Sequence, residues 1–394
     1  MRGLVITSRP VFPVRGGDQL RIYGVAKTLK EMGVSVDCYY TYFPHKVDPV
    51  GDDTLFSIYR GFPLNSISAI ANAFKNRVMG KPLQSGLYYS KDMVERVRAV
   101  EHDYDFILIH LVRMAYVGVL VDNRRKVWLD YTDAISMNYE RLKSKGGRVS
   151  PMRLVYLSEV RPLAKYEVDL SGLFAINTVI SEVDRSYLGG NGVQRMAVLK
   201  NGTDVLTDKN MCSSFSSSRI VFVGNMFSLQ NQDACSWFSE HVMGTLGAEG
   251  FRLDIIGKIP EAFKIKIELF PFVNVVGEVD DIVEACADSF VGVCPMRFGA
   301  GLQNKILNYL SAGIPCLSTP ISADPIDPDS KVIWRCYSPQ EYINAVRQLK
   351  CSNQKYYQVA MRSREYCYEH YSWSSVMIKS GVIEELELVG KKLG

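Results

Sequence analysis

Short apolar runs typical of β-strands alternate with helical patterns along this chain, and the alternation occurs twice. A polar, serine-rich segment at 209–218 separates the two series and is typical of a linker. Strands that alternate with helices in this way predict parallel sheets covered by helices. The sequence therefore predicts an α/β protein with two doubly wound, Rossmann-like domains, at 1–205 and 206–370.

One stretch of the second series, 290–319, combines a strand, a glycine loop, a helix and another strand. Gly299 and Gly301 allow the backbone to approach a ligand, and the helical pattern that follows covers 302–312. Unpaired N–H groups and the dipole at a helix N-terminus favour an anion, and Lys305 adds a positive charge on the first turn. Two interpretations stay open: an anion-binding loop, or an ordinary crossover helix with a solvated lysine.

Composition narrows the class of protein. A net charge of +4 over 394 residues does not require a nucleic-acid partner, although it permits a basic patch that faces anionic lipid. Nine cysteines without a C-x-x-C spacing favour reduced thiols in a cytosolic protein. We expect no signal peptide before Met1 and no transmembrane segment, because no apolar run reaches about 18 residues. Peripheral attachment to a membrane stays open.

The segment 65–91 differs in charge from the rest of the first series. It contains Lys75, Arg77, Lys81 and Lys91 but no acidic residue, and its helical part carries an apolar stripe. One interpretation is a surface that meets lipid or a lipid-linked acceptor. The other is a helix that packs its stripe on its own sheet and leaves the basic residues solvated.

Polar side chains end two neighbouring strands of the first series. Asp130 and Asp133 come at the carboxyl end of one strand, and His110 ends the strand before it, with Arg113 close behind. A functional role competes here with two structural ones. An Asp at this place can cap the next helix, and a buried His can be a satisfied core residue.

The loop after the first strand contains Gly16 and Gly17. It lies at the carboxyl edge of that strand, where open α/β sheets bind ligands. Asp18 is the predicted N-cap of the helix that follows. The loop lacks a G-x-G-x-x-G pattern, so we predict no tightly held dinucleotide.

At this point the chain resembles the GT-B glycosyltransferases, specifically retaining family 4 and its exopolysaccharide sugar transferases. Five segments carry the resemblance in the family's order: LDYTDAISMNYERL, VISEVDRSYL, VLKNGTD, VFVGNMFSLQNQDACSWF and GAGLQNKILNYLSAGIPCLSTP. In the family a terminal helix, opened here by Tyr371-Ser372-Trp373, returns to the N-terminal domain. The resemblance therefore implies a GT-B fold in which 371–394 joins the first domain.

The resemblance also implies where a nucleotide-sugar donor binds. The diphosphate would lie over the glycine loop and the start of the following helix, with Lys305 nearby. The donor-binding residues that it implies are Gly16, Gly17, Gly224, Asn225, Arg297, Gly299, Ala300, Gly301, Leu302, Gln303 and Asn308.

Several family positions differ in this chain. Asn308 and Ala300 stand where the family has a pair of Glu residues. Asn225 or Met226 stands in place of the Arg that follows the first strand of the donor domain, and Asn231 in place of the Lys. The countercharge for a diphosphate is therefore expected from Lys305, Arg297 and the backbone.

In the family the leaving phosphate takes the proton of the acceptor, and a polar residue near the sugar assists. We expect Asp133 or Asp130 to steady the sugar or acceptor hydroxyl, with Lys305 stabilising the leaving diphosphate. Arg21, His110 and Arg113 are the expected acceptor contacts, and Arg21 is expected to face the cleft together with the glycines before it. No Asp-x-Asp stands at the carboxyl end of a strand, so we expect no metal and no cofactor beyond the donor.

The predicted function is a metal-independent, retaining hexosyltransferase of surface polysaccharide or lipopolysaccharide synthesis. It would use a UDP- or GDP-sugar and a glycan or polyprenyl-linked acceptor, and no nucleic acid. We expect it in the cytoplasm, with peripheral contact at the inner membrane face through 65–91. Two other functions stay open: a catalytically silent GT-B subunit that binds a partner transferase or glycan, and a GT-B epimerase.

Overall fold

A computed structural model describes residues 1–14, 16–44, 54–141, 151–190, 192, 196–204, 214–298 and 303–391. The chain divides into two compact units, Met1–Gly202 with Trp373–Gly394, and Thr203–Ser372. The sequence placed these divisions after residues 205 and 370, and the two units divide after residues 202 and 372. Each unit contains its own parallel sheet with helices packed on it.

The sheet of the first unit has seven parallel strands. They are β1 (Arg2–Thr7), β2 (Ser35–Tyr42), β3 (Tyr59–Pro63), β4 (Phe106–His110), β5 (Val127–Thr132), β6 (Ile176–Val179) and β7 (Ala197–Val198). The helices are α1 (Gly17–Glu31), α2 (Ser66–Val78), α3 (Leu83–Leu87), α4 (Lys91–Val100), α5 (Ala115–Leu120), α6 (Ile135–Glu140), α7 (Pro151–Ser171) and α8 (Glu182–Gly190). The strand order is β3-β2-β1-β4-β5-β6-β7.

The sheet of the second unit has six parallel strands. They are β8 (Arg219–Val223), β9 (Arg252–Ile256), β10 (Val273–Gly277), β11 (Val291–Cys294), β12 (Cys316–Ser318) and β13 (Ile333–Arg335). The helices are α9 (Leu229–His241), α10 (Met243–Ala248), α11 (Glu261–Ile267), α12 (Ile282–Cys286), α13 (Asn304–Ser311), α14 (Pro320–Ala323), α15 (Pro339–Lys350) and α16 (Asn353–Tyr371). The order β10-β9-β8-β11-β12-β13 is that of a Rossmann sheet.

The last two helices, α17 (Trp373–Lys379) and α18 (Val382–Lys391), belong to the first unit. The indole of Trp373 packs so closely that a Cβ on Gly24 would lie 2.0 Å from its Cε2. The resemblance implied one terminal helix, but Gly381 has a φ of 74° and separates two helices. The predicted fold, two Rossmann-like domains with a C-terminal helix that returns to the first, is confirmed.

The central strands β4, β8 and β11 are buried along their whole length, whereas the edge strands β3 and β10 are partly exposed. In each unit these strand residues and the inner faces of the helices form the core. Within the described parts of the chain, no helix combines the length and the apolar character needed to cross a bilayer.

Candidate functional site

The strand order in each sheet predicts where a ligand binds. Successive strands lie on one side of the first strand until the chain crosses to the other side. The order therefore reverses between β1 and β4, and between β8 and β11. Open parallel sheets bind ligands in the crevice outside the carboxyl ends of the strands at such a reversal. The residues that follow these four strands are therefore the candidate site of each unit, and in the first unit the end of β5, which pairs with β4, lies beside them.

A buried ion pair lies at the carboxyl end of β5 in the first unit. Asp130 accepts hydrogen bonds from Arg21 Nε at 2.8 Å and from Arg21 Nη2 at 2.7 Å, and both side chains are buried. Arg21 Nη1 donates to the Leu199 carbonyl at 2.9 Å and to Asn201 Oδ1 at 3.1 Å. The prediction that Arg21 faces the cleft and contacts an acceptor is wrong, because its guanidinium is bonded inside the domain.

The Asp130 carboxylate also forms its hydrogen bonds inside the domain. Thr178 Oγ1 donates to it at 2.8 Å, Thr132 Oγ1 donates at 3.1 Å, and His110 Nδ1 lies 3.0 Å from Oδ2. Burial alone would raise the pKa of Asp130, but the Arg21 charge and the hydrogen bonds hold it well below its usual value. This geometry corrects the prediction of a direct contact with a sugar hydroxyl. Asp130 instead orients His110.

One ring nitrogen of His110 has no hydrogen bond to any residue that the structure describes. Because an ionised Asp130 can only accept, His110 Nδ1 carries the proton, and the buried Nε2 has no hydrogen-bond partner among the described residues. Burial lowers the pKa of His110 despite the opposing effect of Asp130, so the ring is neutral near pH 7. His110 lines a small pocket at the β1–β4 reversal together with Ser8, Arg9 and Gln19. Its free lone pair can accept a hydrogen bond from a ligand hydroxyl.

Two of the four non-glycine residues for which the structure describes a positive φ lie beside these two side chains. Leu111 and Thr132, at the ends of β4 and β5, have φ values of 71° and 62°. Such sparsely populated backbone conformations cost a residue with a side chain about 1–3 kcal/mol. Hydrogen bonds from Leu111 N to Asp130 O at 2.8 Å and from Ile180 N to Thr132 O at 2.7 Å hold the conformation. Such strain tends to cluster at functional sites, and the sequence contains no signal for it.

The N-terminus of α1 lies at the same pocket. The helix begins at Gly17 with Gly16 as its N-cap, so the prediction of Asp18 as N-cap is wrong. The Gly16 N–H donates to Gln19 Oε1 at 3.0 Å, while Asp18 forms an ion pair with Arg9. The first turn of α1 thus contributes two of the side chains that line the pocket. A contact between the glycines and the donor stays a prediction.

Asp133 and Arg113 lie beyond the ends of the same two strands. Asp133 does not cap α6, whose N-cap is Ala134, and the described residues give its half-buried carboxylate no hydrogen bond. Burial and the charge of Asp184 raise the pKa of Asp133. The Arg113 guanidinium lies over the Tyr88 ring at 5.1 Å and donates weakly to its hydroxyl at 3.5 Å. Asp133 is therefore available to a ligand, whereas Arg113 is held against an aromatic ring.

In the second unit, close backbone packing shapes the end of β8. A Cβ on Gly257 would lie 2.2 Å from the Gly224 carbonyl oxygen, and a Cβ on Gly224 would lie 3.0 Å from the Asn231 side chain. Asn231 Nδ2 donates to the Asn225 carbonyl at 2.9 Å, and Asn225 Oδ1 accepts from Phe227 N at 3.0 Å. These bonds order the turn that leads into α9.

Helix α13 is anchored to the same reversal by one tyrosine. The Tyr309 hydroxyl accepts from Val223 N at 2.8 Å and donates to the Val293 carbonyl at 3.2 Å, which joins α13 to β8 and β11. Gly292 makes room for this ring, since a Cβ there would lie 2.3 Å from it. The N-cap of α13 is Gln303, which makes no side-chain capping bond, and Gly313, just after the C-cap, has a φ of 68°.

Lys305 is buried on the first turn of α13. Its Nζ donates to Asn231 Oδ1 at 2.6 Å, lies 3.8 Å from the Met296 sulfur and lies 4.5 Å from the centre of the Phe222 ring. Burial lowers the pKa of Lys305, and the described residues place no carboxylate beside it. A solvated lysine, one of the two open interpretations, is therefore wrong. The contact with Asn231 could not be read from the sequence.

The other residues expected to bind the donor differ in their surroundings. Arg297 pairs with Asp233 through Nε at 2.8 Å and through a second hydrogen bond from Nη2, so its charge is already partnered. Asn308 is half-buried on α13. Four further donor residues, Gly299, Ala300, Gly301 and Leu302, lie outside the described residues.

Among the described residues, one group could gather around a metal ion: Glu101, His102 and Asp122. It lies at the amino end of β4, whereas the candidate site lies at the carboxyl ends of the strands. The Glu101 carboxylate already accepts from the Asp122 N–H at 3.0 Å. The group is therefore separate from the candidate site.

A family model matches part of the second unit. Residues 217–351 match the family model described as glycosyl transferases group 1, which covers most of the second unit. A search of curated protein sequences finds no match to the chain.

Solved structures with a similar fold span almost the whole chain. HepE of Anabaena in complex with UDP is 12% identical, with a TM-score of 0.64, over 98% of this chain and 100% of that one. A sucrose-phosphate synthase from Thermosynechococcus elongatus is 13% identical, with a TM-score of 0.64, over 98% and 99%. WaaG, a glycosyltransferase involved in lipopolysaccharide biosynthesis, is 15% identical, with a TM-score of 0.62, over 97% and 99%. The chain thus has the GT-B glycosyltransferase fold, and its second unit carries the match to the group 1 glycosyl transferases.

Proposed function

We propose that this protein is a retaining glycosyltransferase of family 4. It would transfer a hexose from a UDP- or GDP-sugar to a glycan or polyprenyl-linked acceptor in surface polysaccharide synthesis. The observation that carries the proposal is the buried Lys305 ammonium beside the N-terminus of α13, at the strand reversal of the second unit. The UDP and UDP-glucose bound to HepE, which has the same fold, support a nucleotide-sugar donor.

The described residues give Lys305 no anionic partner, and this is the main physical support for a diphosphate. A desolvated ammonium is costly unless an opposite charge is near. The described residues offer Lys305 only the Asn231 amide oxygen, the Phe222 ring and a sulfur atom. A diphosphate at the α13 N-terminus would supply the missing charge, and the helix dipole would favour it further.

The contact with Asn231 also accounts for a departure from the family pattern. By resemblance, position 231 is where the family has a Lys, and this chain has Asn there. Lys305 Nζ lies 2.6 Å from the Asn231 side chain. An ammonium group therefore lies close to position 231, but it comes from α13 and not from α9. We propose that Lys305 stabilises the charge that develops on the leaving diphosphate, without a metal ion.

In the first unit, His110 and Asp133 would hold a hydroxyl of the acceptor or sugar. The free Nε2 of His110 can accept its hydrogen bond, and Asp130 and Arg21 keep the imidazole in the required tautomer. Asp133 offers a second acceptor that the described residues leave unbonded. In a retaining reaction the leaving phosphate takes the acceptor proton, so these side chains position the hydroxyl and do not remove its proton.

We further propose that the protein acts in the cytoplasm, at the inner membrane face where a polyprenyl-linked acceptor would be presented. The described cysteines are all unpaired, and all but Cys351 are buried, which suits a reducing compartment.

A panel of nucleotide sugars tests the proposal. The protein is incubated with UDP- and GDP-sugars and a polyprenyl-linked acceptor, and nucleoside diphosphate release and the anomeric configuration of the product are measured. Release with retention supports the proposal, and Asp133→Asn should lower the rate at least tenfold with donor binding unchanged. Rearranged donor without release would indicate an epimerase instead.

A catalytically silent subunit is the second candidate. Asn308 stands where the family binds the donor with a Glu, and Arg297 is already paired with Asp233, which weakens the donor site relative to the family. Nucleotide binding without turnover on any donor of the panel would support this function.

A further inference from the structure

Helix α2 (Ser66–Val78) is attached to the first unit by its small residues. Its buried side chains are Ala69 and Ala73. The neighbouring α3 packs so closely that a Cβ on Gly86 would lie 2.4 Å from the Asn72 carbonyl oxygen. Asn76 Nδ2 donates to Ser85 Oγ at 2.9 Å across the same contact. The close approach needs small side chains, so the large ones must lie elsewhere on the helix.

The large apolar side chains of α2 point away from the protein. Ile67 is 80% exposed, Ile70 66%, Phe74 70% and Val78 73%. Their spacing of three and four residues places them in one stripe along the helix. The interpretation that α2 packs its stripe on its own sheet is therefore wrong. An ordinary surface helix buries its large apolar residues, and contiguous exposed apolar patches mark surfaces that meet a partner.

The charged side chains of the segment that carries the stripe are all positive. Successive residues of an α-helix are rotated by about 100° around its axis. Lys75 and Arg77 therefore lie on opposite sides of the stripe, and Lys81 follows the helix. The whole segment 65–91 contains no Asp or Glu. Arg77 Nη1 lies 3.6 Å from Glu159, and the Arg77 side chain remains 39% exposed. A large apolar face with basic flanks is the pattern of helices that lie in the headgroup plane of an anionic bilayer.

We propose that α2 is a membrane-binding helix that inserts Ile67, Ile70, Phe74 and Val78 into the surface of an anionic bilayer. Lys75, Arg77 and Lys81 would contact lipid phosphates while their aliphatic stems extend along the apolar layer. The helix has 13 residues, about 20 Å at 1.5 Å per residue, so it lies on a bilayer and does not cross one. A protein partner fits less well, because Lys is depleted at protein interfaces. The proposal rests on α2 itself and is independent of the proposed transfer reaction.

Vesicle co-sedimentation of the full chain tests this proposal. Phosphatidylcholine vesicles are compared with vesicles that also contain phosphatidylglycerol, at low and high salt. We expect the wild type to bind the phosphatidylglycerol vesicles preferentially and to lose binding as salt rises. The double variant Ile70→Ser with Phe74→Ser should lower the partition coefficient at least about tenfold, since each side chain contributes buried apolar area. Lys75→Glu with Lys81→Glu should lower it similarly.

Matched controls come from the second unit. Leu269→Ser removes a side chain that is 80% exposed, and Lys266→Glu reverses an exposed charge, so both should leave binding within about twofold of the wild type. Phe74→Trp reports insertion directly, because its fluorescence should be quenched by brominated lipid. Nucleotide binding, measured on the same variants, should be unchanged and shows that a loss of vesicle binding is not a loss of the donor site.

Three results would overturn the proposal. The wild type could fail to bind phosphatidylglycerol vesicles, or it could bind both vesicle types equally. The stripe variants could bind as the wild type does. Self-association in sedimentation velocity that is lost in the Ile70→Ser, Phe74→Ser variant, without vesicle binding, would assign the stripe to a second copy of the chain instead. Vesicle binding by a protein without transferase activity would leave this proposal standing and contradict only the proposed function.

Discussion

Removal of the Asp130 charge is the sharpest perturbation of the first unit. Asp130→Asn keeps the side-chain shape but leaves the Arg21 guanidinium buried without its anion. In the wild type the two are joined by hydrogen bonds of 2.7 and 2.8 Å inside the core. Loss of one partner of a buried pair costs about 3–5 kcal/mol. A unit of this size loses about 2–4 °C in melting temperature per kcal/mol, so we expect a decrease of about 6–20 °C.

Thermal unfolding of the full chain measures this decrease. Asp288→Asn is the matched control, because the Asp288 carboxylate is mostly exposed and its partner Arg219 also pairs with the buried Asp254. Exposed pairs contribute about 0–1 kcal/mol, so the control should melt close to the wild type. The double variant Arg21→Met with Asp130→Asn should recover most of the loss, because it removes both buried charges.

The pH dependence of the effect follows from the pKa of Asp130. The pKa of Asp130 in the folded protein lies well below its ordinary value. The Asp130 carboxylate therefore stabilises the folded state above about pH 4. This contribution to stability is lost only in stronger acid. The difference between the wild type and Asp130→Asn should therefore be constant from neutral pH down to about pH 4. An Asp130→Asn variant that melts within about 2 °C of the wild type would contradict the claim that the variant leaves the buried Arg21 charge without compensation.

Two further predictions concern other parts of the first unit. Burial raises the pKa of Glu167 to about 7, so the folded state holds that proton more tightly than the unfolded chain, and stability should fall as pH rises from about 4.5 to about 7. Glu167→Gln should remove this pH dependence, and urea unfolding at pH 8 should show a free energy of unfolding higher than that of the wild type by up to about 3 kcal/mol. A variant with the pH profile of the wild type would contradict this prediction. Gly24→Val places carbon atoms where the Trp373 ring lies and should cost about 1–3 kcal/mol, with a change in indole fluorescence. A variant with wild-type melting and fluorescence would show that the C-terminal helices are not held at Gly24.

The fold was predictable because its main signal is local and periodic. Short apolar runs that alternate with helical patterns indicated nearly every strand. The strand β3 was missed because Tyr59–Pro63 contains a glycine and a proline, which are typical of turns. Its pairing with β2 at the sheet edge depends on a partner strand and not on its own composition.

The site was predictable only in its location. Polar residues at strand ends indicated His110, Asp130 and Asp133, but not which of them are free to meet a ligand. Arg21 and Asp130 are 109 residues apart in the chain, and no local pattern reveals that they pair. In the same way, the stripe of α2 was visible in the sequence, but its direction depends on the small-residue contact with α3.

The measurement that tests the central claim most directly is the affinity of Lys305→Met for UDP and GDP, by calorimetry. A charge-assisted bond contributes about 1.5–3 kcal/mol, so we expect a loss of about 10–150-fold, with Lys266→Met as the unaffected control. Adding Asn231→Lys to Lys305→Met should restore most of the affinity, because the two side chains meet at 2.6 Å in the wild type. Wild-type affinity in Lys305→Met would contradict the claim that this ammonium binds the diphosphate.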